Sequence, residues 1–298
     1  MALTVSTLLQ RAYRELGQLN ISVATGGSTT TVVDTKLTDT GGEDDAWKDG
    51  ILIVTRDAAG ASAAPEGEFN RISAYVDSSG TFTVDTAFTA AVASGDRYAY
   101  SSPLFPFYQM IEFINDGLTD LGDIALVDTT TLDSASSQTE YANSVAWKSR
   151  PPTRIDIQGQ TGDANDNRWQ MITNWEIVPA APGSTGLIVF KEQLQASRDL
   201  RIWYTDKHPR VQDFDDAISE TIEEPLAVAA VVEKALIWYN NQLEGDEIFW
   251  LSRLNDAKVT LERMKSDNPI WKPEKFYRTL HFGHADYRTS EVNKAHLG

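Results

Sequence analysis

Two apolar stripes at helical spacing, one after the other within residues 225–267, constrain this chain more than any other feature. Val228, Val231, Val232, Ala235, Leu236 and Tyr239 fall at i, i+3, i+4, i+7, i+8 and i+11, which sets all six on one face of a helix. Pro225 suits the first helical position, where its missing N–H costs nothing. Asn240, Asn241 and Gly245 supply the exit, since Asn and Gly tolerate the left-handed conformation that closes helices. Asp246 is placed to cap a second helix, in which Trp250, Leu254, Ala257, Leu261 and Met264 recur at 4-3-4-3 spacing, and Pro269 ends it. This near-heptad seam predicts an antiparallel hairpin zipped through Val228, Val232, Leu236, Tyr239, Trp250, Leu254 and Leu261. No side chain along it is chemically poised. It reads as a surface for packing and for contacts between copies.

Two further helices are predicted upstream. Leu8, Leu9, Ala12, Tyr13 and Leu16 form the apolar face of one over Ser6–Gly17. Phe107, Met110, Ile111, Ile114, Leu118 and Leu121 form that of another, opened by Pro106 and closed by Gly122. Between them lie short β-type runs: Thr30–Val33, Ile51–Thr55, Phe69–Val76, Phe82–Asp85 and Tyr98–Tyr100. Asp77-Ser78-Ser79-Gly80 is a hairpin connection, and Ile72, Ala74 and Val76 alternate as a half-buried strand should. Asp128–Asn143 is soft and polar. A second set of runs follows at Arg154–Ile157, Trp169–Ile172, Trp175–Val178, Leu187–Phe190 and Leu200–Tyr204, with a Pro- and Gly-rich turn over 179–186. Trp169, Trp175 and Trp203 are expected to anchor the core of this module.

The expected architecture is therefore α+β: a helical bundle of N-terminal helix, central helix and C-terminal hairpin, carrying two inserted antiparallel β modules. Residues 1–27, 104–126 and 205–266 make the helical core, 28–103 and 127–204 the two modules, and 267–298 an extended C-terminal arm.

That arm is a different polymer. Lys272, Lys275, Arg278, Arg288 and Lys294 stand against Asp267, Glu274, Asp286 and Glu291, so a chain of formal net charge −17 ends nearly neutral. Trp271, Phe276, Tyr277, Phe282 and Tyr287 are spaced along it, with Pro269 and Pro273 favouring an extended backbone. Aromatics on such a segment suit an arm that inserts rings into pockets on a partner, with Lys272, Lys275, Arg278 and Arg288 beside them. The alternative is an arm folded back on its own subunit.

A protein that grips DNA by neutralising phosphates needs a basic surface, which a chain of net charge −17 as a whole lacks, while an acidic surface is compatible with DNA passing without sticking. The chain has no cysteine, which excludes disulfides, thiolate catalysis and Cys-ligated metals. No apolar run approaches the roughly 20 residues that span a bilayer, and MALTVSTLLQRAY lacks the pattern of a signal peptide, so no membrane association is expected. His281 and His284 form an H-x-x-H pair, but Phe282-Gly283 between them argues against helix. Asp163-Ala-Asn165-Asp166-Asn167 opens like a calcium loop, yet Arg168 and Asn174 stand where glycine and glutamate are required. The acidic Gly41–Asp45 loop reads as solvated. Phosphate-binding, nucleophile-elbow and dinucleotide motifs are all missing. No catalytic residue, metal or cofactor is assigned, and an enzyme is not expected.

The hairpin Pro225–Met264, above all Glu233-Lys234-Ala235-Leu236-Ile237-Trp238-Tyr239 followed by Gly245-Asp246-Glu247 and a second helix, resembles the C-terminal helices of tailed-bacteriophage head–tail adaptor (connector) proteins. The run Arg71-Ile72-Ser73 through Phe82-Thr83-Val84, Phe88 and Gly95-Asp96-Arg97-Tyr98 is similar to small β modules of phage virion proteins. The resemblance covers about half the chain and rests on pattern. It implies a structural subunit of the virion neck, made in the host cytoplasm, that forms a homo-oligomeric ring, commonly a dodecamer. Such a ring joins the portal protein to a tail or neck protein, the arm docks on the portal, and DNA passes non-specifically through the channel. Compact members of the family lack two β insertions. Two other classes fit the residues: another tail component, such as a terminator or baseplate protein, or a β-rich glycan-binding module stacking sugars on Trp47 or Trp147.

Overall fold

A nearly continuous apolar run from Leu226 to Leu236 is too hydrophobic for a one-sided surface helix, and the structure explains why. The computed structural model describes residues 3–39, 42–60, 63–130, 132–135, 138–144, 151–159, 168–179, 186–243 and 247–272. In it α1 (Val5–Glu15), α2 (Phe107–Asp120) and α4 (Ile248–Asp267) all pack against α3 (Glu224–Gln242). The buried residues of α3 are Leu226, Ala227, Ala229, Ala230, Val231, Ala235 and Leu236, so they wrap much of its circumference instead of one stripe. Four of the seven are alanines, whose small side chains let neighbouring helices come close. Between α2 and α3, a Cβ on Gly117 of α2 would sit 3.2 Å from the Ala230 carbonyl carbon. Pro225 lies in the first turn, with Glu223 at the N-cap. Asn240 and Asn241 are still helical, and the cap falls at Leu243.

The chain divides into two compact units, Met1–Ile124 with Lys207–Ile270 and Ala125–Asp206 with Trp271–Gly298. The first unit also holds β1 (Leu19–Val23), β2 (Gly26–Gly27), β3 (Thr31–Val33), β4 (Ile51–Arg56), β5 (Phe69–Val76), β6 (Thr81–Val84) and β7 (Arg97–Ser101). They form one seven-stranded antiparallel sheet in the order β1-β7-β4-β5-β6-β3-β2. Its core joins Val32, Leu52, Val54, Ile72, Phe82 and Val84 to the rings of Tyr75, Tyr98 and Tyr100. Asp34 is wholly buried there and is satisfied: it accepts from the Tyr98 hydroxyl at 2.9 Å, the Lys36 N–H at 3.0 Å and the Ser22 hydroxyl. Burial, and then the Asp34 carboxylate, push the Tyr98 phenol well above its ordinary pKa, so it stays a donor. A bulge shifts the β5–β6 register between Ile72 and Ala74. The extra residue turns the following side chains over, so Tyr75 reaches the core while Val76 faces solvent. Strict alternation through Ile72, Ala74 and Val76 therefore fails. The β5–β6 connection runs through Gly80 at φ 58°, where a Cβ would meet the Asp34 carbonyl oxygen at 2.1 Å.

The second unit is built on β8 (Ile124–Asp128), β9 (Glu140–Ala142), β10 (Arg154–Gln158), β11 (Trp169–Ile172), β12 (Trp175–Val178), β13 (Leu187–Phe190) and β14 (Leu200–Asp206). They form a four-stranded sheet, β11-β10-β14-β8, and a three-stranded sheet, β12-β13-β9, both antiparallel where their registers are resolved. Tyr141, Ile155, Ile188, Phe190, Leu200 and Ile202 make the shared core.

The architecture corrects the expected helical bundle with two inserted β modules. Among the described residues the chain is a mixed α+β protein with fourteen strands and four helices, and three antiparallel sheets dominate it. The physical reason is continuity. The seven-stranded sheet starts at Leu19, directly after α1, and forms one compact unit with all four helices, so it is part of the body and no insert. The soft segment Asp128–Asn143 begins on the last residue of β8 and contributes the strand β9 near its end. The 267–298 segment is described only to Lys272.

Candidate functional site

The seam of the α3–α4 hairpin and the space beside it form the candidate site. Leu254 and Leu261 are the only residues of the 20-residue α4 that are buried. Leu261 packs on Leu226, Ala229 and Ala230, with Leu121, Met264 and Ile270 around it. Burying two leucines contributes on the order of 3–6 kcal/mol, little for a helix of this length. At the far end of the hairpin the Tyr239 and Trp250 rings meet edge to face at 4.6 Å, and both lie within 6.3 Å of the buried Phe105 ring.

Val228, Val232 and Leu236 do not all zip into that seam. They floor a groove of about 500 Å³ between α1, α3 and α4, with Ala257 and Met264 on its other wall. Its rim is charged and locally ordered. Arg11 pairs with Glu224 at 3.0 Å. Arg253 donates to the carbonyls of Glu15 at 2.7 Å and Leu16 at 3.1 Å, closing the C-terminus of α1, where a cation also favours the helix dipole. Asp256 and Arg263 stand at the mouth.

On the opposite side of α4 three apolar side chains stand open to solvent among the exposed Ser252 and Asn255. Ile248 is 85% exposed and Val259 72%, with Leu251 beside them. At 100° per residue, Ile248 and Val259 point almost directly away from the Ala257 and Leu261 side that faces α3. The hairpin thus carries a groove and an apolar ridge on different faces.

Sequence reasoning missed a second constellation, on the face of the four-stranded sheet that turns away from its core. Asp156 of β10 is fully buried and accepts from Arg154 Nε at 2.7 Å, Arg201 Nη2 at 3.0 Å and Trp203 Nε1 at 2.9 Å. The Arg201 guanidinium stacks on Trp169 at 4.4 Å and Trp203 at 5.2 Å, and Arg154 on Trp203 at 5.9 Å. Trp175 packs on the core of this unit, whereas Trp169 and Trp203 belong to this ladder of alternating indoles and guanidinium groups. The signal was present in the registers that set Asp156 opposite Arg201 and Arg154 opposite Trp203, which only the strand pairing reveals.

Of the expected docking residues, Trp271 is 55% exposed, its ring 5.9 Å from that of Trp203, and Lys272 is exposed. Lys275, Phe276, Tyr277, Arg278, Phe282, Tyr287 and Arg288 lie outside the described residues, as do His281, His284, Trp147 and Asp163–Asn167. Trp47 meets Tyr100 edge to face at 4.8 Å and packs on the sheet core, so its ring is no free platform for a sugar. Among the described residues no cluster of acidic and histidine side chains gathers to hold a metal, and no helix is long and apolar enough to cross a membrane. No protein-family model matches the chain, and no curated protein is significantly similar to it in sequence.

Proposed function

We propose that this chain is a structural, non-enzymatic subunit of a tailed-phage virion, a head–tail adaptor that forms a ring at the neck, joins portal to tail and lets DNA pass. The observation that carries the reading is α4. A helix of 20 residues whose fully buried side chains are Leu254 and Leu261, and which exposes Ile248 and Val259, leaves apolar surface that an assembly would cover. The sequence of the hairpin, Glu233–Tyr239 above all, supports the same reading through its resemblance to adaptor proteins. Net charge of −17 repels the DNA backbone, which favours passage over retention. The ring is a homo-oligomer that contacts the portal protein on one side and a tail or neck protein on the other. It needs neither cofactor nor membrane. Residues 268–298 supply most of the affinity for the portal.

A second reading, another tail component such as a terminator or baseplate protein, is favoured by the weight of antiparallel sheet in the chain. There the strands would carry the ring contacts.

Deletion of residues 268–298 tests the first reading. The expected result is loss of neck assembly, seen by electron microscopy of phage particles, with the helical circular dichroism of the purified protein unchanged. Normal necks built from the shortened protein would refute it.

A further inference from the structure

We propose that copies of this chain associate head to tail, the α4 ridge of one copy (Ile248, Leu251, Val259) seating in the α1–α3–α4 groove of the next. This names the contact that the neck-ring reading requires, and it rests on that reading for closure into a ring.

Three observations support the pairing. The first is shape. The groove floor is a row at four-residue spacing, Val228, Val232 and Leu236, about 12 Å long at 1.5 Å per residue. Leu251, Asn255 and Val259 form a row of the same spacing and the same length, with Ile248 extending it. Rows at four-residue spacing on two helices interdigitate, which is the commonest way that helices pack. The second is charge. Arg263 at the groove mouth makes no ion pair among the described residues. Glu247 flanks Ile248 on the ridge and is exposed, so a ridge seated with Ile248 toward Arg263 brings an acid to a base.

The third is direction. Ridge and groove lie on α4 faces roughly 140° apart by helical geometry. A two-fold pair would satisfy this contact only if both faces of each α4 met the same partner, which faces pointing roughly 140° apart oppose. Each copy that joins presents a fresh ridge at one side and a fresh groove at the other, so the contact propagates until rotation closes it. A ridge-to-ridge dimer would leave every groove open.

The chain contains no cysteine, so introduced thiols are the only ones, and oxidative trapping reads the contact directly. Val259→Cys labels the ridge and Val232→Cys the groove. We expect each single variant alone to stay uncrosslinked, their mixture to give covalent dimers, and the double variant to give a ladder beyond dimer. Val259→Asp should abolish association of the otherwise native chain in sedimentation, with unchanged circular dichroism because the site is exposed. Efficient crosslinking of Val259→Cys to itself, with nothing gained on mixing, would establish a symmetric dimer and overturn the proposal. So would a native chain that stays monomeric up to roughly 1 mM, enough to populate even a millimolar contact. Crosslinking that appears only after removal of residues 273–298 would mean that the chain's own C-terminal segment fills the groove, which also overturns it. A protein found at the phage neck without ridge–groove crosslinks sinks this inference alone. Ladders from a protein missing from virions sink the neck reading alone.

Discussion

Removing the Asp156 carboxylate should destabilise the second unit by about 3 kcal/mol, because the cost lies in what is left behind. Asp156 is fully buried and accepts from two guanidinium groups and an indole N–H. Breaking a buried ion pair by deleting one partner costs about 3–5 kcal/mol. The lower end applies here, since the Arg154 and Arg201 side chains are 35% and 25% exposed and regain some water. Asp156→Asn keeps the shape but turns an amide NH2 toward one guanidinium, so it should cost about 2 kcal/mol, with only the neutral acceptor retained. Urea unfolding followed by tryptophan emission is the assay, since Trp169 and Trp203 sit in the ladder itself. A loss of 3 kcal/mol from a unit of this size lowers its midpoint by more than roughly 10 °C. A change below about 0.5 kcal/mol for Asp156→Ala would refute the reasoning and reduce the ladder to surface decoration.

Other parts of the first unit yield sharper local expectations. The Asn115 amide brackets the Val211 backbone, accepting from its N–H at 2.8 Å and donating to its carbonyl at 3.0 Å, so Asn115→Ala should cost about 2 kcal/mol and speed hydrogen exchange in residues 207–218. Gly117→Val drives a side chain into α3, and should cost about 1–3 kcal/mol in denaturant titration. Burial lowers the His208 pKa while its Nε2 accepts from the Ser219 N–H at 3.0 Å. The unfolded state then binds the proton more readily, so the His208 contribution is intact above about pH 6.5 and is lost as pH falls through the lower folded value. Thermal midpoints measured between pH 8 and 5 should fall less steeply for His208→Gln than for the native chain.

Periodicity made much of the fold legible. The 3.6-residue stripes located all four helices, and Trp169–Ile172, Trp175–Val178 and Leu187–Phe190 match β11, β12 and β13 residue for residue. Pattern failed where chain direction and pairing decide. Leu19–Val23 carries little alternation and is held as an edge strand by β7, so the large sheet looked like an insertion when it is continuous with the helices. Of the four buried alanines of α3 only Ala235 falls on the apolar face read from the sequence; Ala227, Ala229 and Ala230 are buried as well because three helices pack against α3. The groove was not legible either: Val228 and Val232 sit at seam spacing in the sequence, and only the packing of α1, α3 and α4 shows that they line a groove. Asp156, Arg201 and Trp203 are far apart or unremarkable in sequence, and only the β10–β14 register joins them.

Position and copy number on purified virions test the central claim most directly. A tagged copy imaged on intact particles, with stoichiometry from quantitative mass spectrometry, should place the protein at the neck, in about a dozen copies if the ring has the size that the adaptor resemblance implies. Copies at the tail tip, or none on the particle, would contradict the adaptor account.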